Sequence, residues 1–217
     1  MKPLSSSGYW AAALLGLSII LGACSSPTAT DRLASPLAQP SWPAPAAPMA
    51  RAVEAGLAPE PVEYLATHTH VHLDVFVDGQ QVPVPAGIGI DVGAAGVMDT
   101  PTPDGAEHFY SVKTCSAVCL SPLHTHDPSG LIHTESKVKN QPPDLLGQFF
   151  TEWGVRMDAL CVGEYCEPAA QIRVYLDGKL HTGNPMEIAL TSHLEIAFVI
   201  GRAPALIPST WPFDSPA

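Results

Sequence analysis

Nine histidines occur in this 217-residue chain, and six of them fall in two short clusters. One is His68-Thr-His70-Val-His72; the other is His124-Thr-His126, followed by His133. In a β-strand, residues i and i+2 share one face at about 6.5–7 Å. Two imidazoles so placed can converge on one ion at nitrogen–metal distances of about 2.0–2.1 Å, so His-x-His on a strand is a chelating unit. His68, His70 and His72 are expected to form a row, with Thr69, Val71, Leu73, Val75 and Val77 on the opposite, core-facing side.

The stretch LHTHDPSGLIHTE reads as a hairpin, because Asp127-Pro-Ser-Gly130 has the residues of a type I turn in their preferred places. A four-residue turn sets His124 opposite His133, with His126 beside them and Glu135 further along. A bulge at Gly130 would instead pair His126 with Ile132 and turn His133 away. The sequence leaves both registers open.

Imidazole ligands suit Zn, Cu and Ni. The five methionines are scattered, which argues against a Met-rich Cu(I) site, so copper or zinc is the expected ion. Histidine must be deprotonated to bind, and binding should weaken below about pH 6.5. His108, His181 and His193 stand alone and are expected to be structural or surface residues.

The elements that must position these side chains are mostly strands. His70–Val77 alternates and runs into Asp78-Gly79, a hairpin signal, and Gln171–Leu176 runs into Asp177-Gly178 in the same way. That shared form hints at an internal duplication. His193–Ile200 is a strongly apolar late strand. Asp144–Gly154 is the best helix: Leu145, Leu146, Phe149, Phe150 and Trp153 share a face, Asp144 suits the N-cap and Gly154 the stop. The expected domain, residues 62–217, is therefore α+β: a predominantly antiparallel sheet with one packed helix. The Gly-rich GIGIDVG lacks dinucleotide-binding spacing and reads as a turn.

Residues 1–23 carry a charged start at Lys2, an apolar run from Trp10 to Leu21, and the small residues Gly22 and Ala23 before Cys24. The run is shorter than the roughly 20 residues of a membrane span and fits a signal peptide. Leu21-Gly22-Ala23-Cys24 resembles a bacterial lipobox, which implies cleavage before Cys24 and its acylation. Anchoring to a membrane by lipid and a place in the cell envelope, facing the periplasm or exterior, follow as expectations. Residues 24–61 hold eight prolines within Ala/Ser-rich sequence and are expected to form a tether, with a short helix within Met49–Leu57.

The formal charge is −11, or −12 once Lys2 leaves with the signal. Such a surface repels nucleic acid and attracts cations. The remaining cysteines, Cys115, Cys119, Cys161 and Cys166, are even in number, as disulfides in an oxidising compartment would be. Local pairs, Cys115–Cys119 and Cys161–Cys166, are preferred among three pairings. Left unpaired, Cys119 could instead join the ligands.

The segments LHTHDPSGLIHTES, DLLGQFFTEWG and QIRVYLDGKLHTGNP together resemble a family of uncharacterised bacterial and archaeal secreted or lipid-anchored proteins. Its motif is HTHD-x-SG-x-IH-x-E followed by LGQFF-x-x-WG, and the resemblance covers roughly residues 68–201. His124, His126, Asp127, Ser129, Gly130, His133 and Glu135 occupy the motif positions. The resemblance implies one structural unit and brings no reaction with it.

A tethered binder of copper or zinc is thus the preferred reading. One alternative is an enzyme with an open His-ligated ion, using Glu135 or Asp127 as base. A cupin-type oxygenase is disfavoured, since Gly130 and Leu131 stand where its glutamate would follow His126. Another alternative is a protein-interaction module without metal.

Overall fold

The computed structural model describes residues 35–213. The expected signal peptide, the expected lipidation site Cys24 and the first part of the expected tether lie outside the described residues. The elements are α1 (Pro48–Glu54), β1 (Thr67–Val77), β2 (Gln80–Val82), β3 (Val97–Pro101), β4 (His108–Val112), β5 (Leu123–His124) and β6 (Leu131–Ser136). They continue with α2 (Leu146–Trp153), β7 (Cys161–Val162), β8 (Tyr165–Cys166), β9 (Ile172–Leu176), β10 (Lys179–His181) and β11 (Glu195–Ile200).

The expected α+β architecture holds. A seven-stranded sheet runs β10-β9-β11-β1-β6-β5, with β2 also on β1. Its pairs are antiparallel except β1 and β11 at the centre, which are parallel. Both Asp-Gly turns take left-handed φ at their two central residues, 49° and 78° at Asp78-Gly79 and 48° and 74° at Asp177-Gly178. That is the type I′ geometry matching strand twist.

Alternation along the central strands builds the core. Leu73, Val75 and Val77 of β1 register with Ile196, Phe198 and Ile200 of β11, Val71 registers with Ile132 of β6, and all are buried. Against this face packs α2, whose Leu146, Phe149, Phe150 and Trp153 are buried as its helical spacing predicts. The helix starts one residue later than expected. Leu145 is the N-cap rather than Asp144, because the Gln148 side chain reaches back to accept from the Leu145 N–H at 2.9 Å. Gly154 ends the helix at φ 83°.

The expected tether requires a correction. From Pro36 onward the chain is part of the compact unit. The Leu37 N–H donates to Asp78, Trp42 meets Trp153 edge-on at 5.8 Å, and Ala52 of α1 is fully buried. Proline-rich composition marks extended backbone, but Leu37, Trp42 and Ala52 gain more from burial than from solvent. The domain thus begins near residue 36 rather than 62, and α1 is a second helix beside α2.

Both local disulfides form, Cys115–Cys119 and Cys161–Cys166. Cys119 is therefore no thiolate ligand. Among the described residues, no helix is long and apolar enough to cross a membrane.

Candidate metal centre

Side chains directly opposite on antiparallel strands share a face. β1 pairs His70 with His133 and His68 with Glu135 on β6; β5 pairs His124 with the same His133. Three adjacent strands therefore carry His70, His133 and His124 in a line, on the face opposite the core. The register is that of the four-residue turn. Gly130, at φ 92°, makes it possible: a Cβ there would stand 2.4 Å from the Leu73 carbonyl oxygen. His68 stands beside His70, and His126 lies just beyond the end of β5. Ring centroids of neighbouring imidazoles are 4.4–5.1 Å apart.

Hydrogen bonds fix the tautomers at the buried end. His124 Nδ1 lies 2.9 Å from the Ser121 carbonyl, and His126 Nδ1 bonds the Tyr110 carbonyl. A carbonyl only accepts, so each Nδ1 carries the proton, and in a neutral ring Nε2 is then a bare lone pair. These two Nε2 atoms face each other at 3.2 Å. Two lone pairs repel there unless a cation or an added proton stands between them. The proton is opposed: burial pushes the His124 pKa well down, and the His126 charge adds to the effect. Two nitrogens at about 2.0–2.1 Å from a tetrahedral ion lie roughly 3.3 Å apart, which fits the observed spacing.

His133 stands between this pair and the outer one. Its Nδ1 is 2.9 Å from His68 Nε2. Burial, and then the charges of the four surrounding histidines, drive its pKa far below the ordinary imidazole value. Burial also lowers the pKa of His68 and His70, and His70 Nε2 is buried without a hydrogen-bond partner. The donor atoms here fall into three overlapping groups that could hold a metal ion, His68–His70–His133, His124–His126–His133 and Glu63–His124–Glu135, each within 4.8 Å. The second is buried throughout, whereas His68 in the first is exposed.

Two carboxylates stand beside the histidines. Glu135 Oε1 lies 3.9 Å from His68 Nε2, and Glu63 Oε1 lies 3.9 Å from His126 Nε2. The other oxygen of Glu135 accepts from the Tyr64 N–H at 2.9 Å, while Oε1 is buried without a partner. Burial pushes the Glu135 pKa up to about 7, the Tyr64 N–H working the other way and Glu63 adding to the rise.

Five of the six clustered histidines thus converge. His72 does not join them. It faces β11, with Nδ1 at 2.9 Å from Glu195 Oε2, Nε2 at 2.9 Å from the Ser129 carbonyl, and its ring stacked on Trp211 at 3.6 Å. Asp74 and Glu195 complete a compact group with it. Here a proton suffices: burial raises the pKa of both carboxyls, so a carboxylic O–H can serve Nδ1. Asp127 accepts from the Ser129 N–H and belongs to the turn. His108 bonds Asp99 and His193 stacks on Phe213, away from the centre. Glu63 and the carbonyls of Tyr110 and Ser121 are functional groups that no spacing in the sequence signals.

Compared with protein-family models, curated proteins and solved structures, the chain finds no match.

Proposed function

We propose that this chain is a lipid-anchored protein of the cell envelope that binds copper or zinc through its clustered strand histidines, for capture, buffering or delivery of the ion. One observation carries the metal reading: the bare Nε2 atoms of His124 and His126, each fixed by a carbonyl on the far side of its ring, stand 3.2 Å apart in a buried site where burial disfavours a proton on His124. A cation relieves that repulsion and satisfies both lone pairs. The carbonyl bonds are also the outer support that ligating histidines ordinarily have, fixing ring orientation. An all-imidazole set with neighbouring carboxylates suits divalent copper or zinc. The envelope location and the lipid on Cys24 are supported by the signal-like segment and the lipobox-like tetrapeptide, and the two disulfides fit an oxidising compartment. The acidic surface favours cation capture.

The test uses the protein without a histidine tag, exposed to micromolar copper or zinc, desalted, and analysed for bound metal by elemental mass spectrometry. The wild type should retain metal, and the double variant His124→Gln/His126→Gln should lose at least tenfold in affinity with unchanged circular dichroism. Wild-type protein that retains neither metal overturns the reading.

A further inference from the structure

We propose that the centre is dinuclear, with His133 bridging two ions: one held by His68, His70 and Glu135, the other by His124, His126 and Glu63. This deepens the metal-binding reading and rests on it.

Ligand atoms on opposite sides of one ion are at most about 4.2 Å apart, twice the usual nitrogen–metal distance. The five imidazoles fall into two groups of mutually close donor atoms rather than one group of five, so two ions fit them better than one. His133 is the member common to both. Its ring centroid is 5.1 and 4.5 Å from His68 and His70, and 5.1 and 4.4 Å from His124 and His126. It therefore stands midway between two histidine pairs. Its Nδ1 already meets His68 Nε2 at 2.9 Å, so this nitrogen serves the outer ion and Nε2 is left for the inner one. Glu135 and Glu63 both lie within 4.8 Å of His124, and their 3.9 Å contacts to His68 and His126 respectively let each serve a different ion. Each ion then has three imidazoles and one carboxylate, a complete tetrahedral shell.

Binding of the second ion exchanges the His133 N–H bond for a nitrogen–metal bond, and the proton leaves to solvent. No oxidant or reductant is required. Ionised Glu63 and Glu135 with the bridging imidazolate offset most of the charge of two divalent ions. The ions differ in access: the outer one sits at exposed His68, and the inner one among buried groups.

The experiment titrates the tag-free protein with Cu(II), measures copper per chain, and integrates the Cu(II) electron paramagnetic resonance signal at low temperature. Two d9 ions joined by one imidazolate couple antiferromagnetically. The wild type should take up two coppers per chain with less than half the signal that this copper would give uncoupled. His68→Gln/His70→Gln should take up one copper with its full signal. One copper per chain at saturation in the wild type overturns the dinuclear centre and leaves the single-ion reading standing, whereas none overturns both. Two coppers with full, uncoupled signal overturn His133 as the bridge.

Discussion

Replacing Glu135 by Gln in the metal-free protein tests the electrostatics of the site. The carboxyl is only 5% exposed, and one of its oxygens has no partner. Burial moves its pKa from 4.5 to about 7. A group with a raised folded-state pKa contributes stability that is fully present below its unfolded value and lost as pH rises through the folded value. Between pH 4.5 and pH 7 the wild type therefore loses stability from this residue. At about 1.4 kcal/mol for each tenfold change, the loss is about 3 kcal/mol. Gln keeps the shape and cannot ionise, so the loss disappears. Urea unfolding at half-unit pH steps, with chelator present, should show Glu135→Gln gaining about 3 kcal/mol relative to wild type from pH 4.5 to 7.5. Bound metal should reverse the sense. A cation beside Oε1 holds the carboxylate ionised, so wild type gains more stability from copper or zinc than the variant does. Wild-type and variant curves that stay parallel across pH refute the claim that Glu135 is buried without a compensating partner.

Two other substitutions probe the scaffold. Gly130→Ala puts a Cβ against the Leu73 carbonyl at φ 92° and should cost at least about 2 kcal/mol, read as a lower urea midpoint together with weaker metal retention. An unchanged midpoint would mean that the turn tolerates a side chain and does not fix the register of His133. Trp42→Ala removes the edge-on contacts with Trp153 and Tyr165 and should cost about 2–3 kcal/mol in thermal unfolding. Stability equal to wild type would return residues 36–47 to the status of a tether.

Much of this arrangement could be read from local pattern. Alternation alone put Val71, Leu73, Val75 and Val77 inside and the histidines of β1 on the other face, because a strand has a fixed period of two. The two Asp-Gly turns, the apolar face of α2 and the local cysteine pairs are likewise decided by residues close together in the chain, whereas the choice of the four-residue turn within LHTHDPSGLIHTE was left open by sequence and goes with the fit of Gly130 against the Leu73 carbonyl. Local signals failed where remote surfaces competed. Pro-rich residues 36–61 looked like a spacer, yet Trp42 and Ala52 pack on a helix about a hundred positions later. The Asp144 cap was displaced by Gln148, one turn further on.

The composition of the centre itself was beyond the sequence. His-x-His spacing identifies chelating units but not which units meet, since that depends on which strands lie side by side. Only the β1–β6–β5 order brings His68 and His70 to His133 and on to His124. The same sheet takes His72 away, because its other neighbour, β11, presents Glu195. Glu63 and the Ser121 carbonyl come from loops and the Tyr110 carbonyl from β4, with no spacing relation to the histidines. The chain thus determined the ligand type and the strand period. Lateral strand order, a product of long-range pairing, decided which imidazoles share a focus and which nitrogens are left bare.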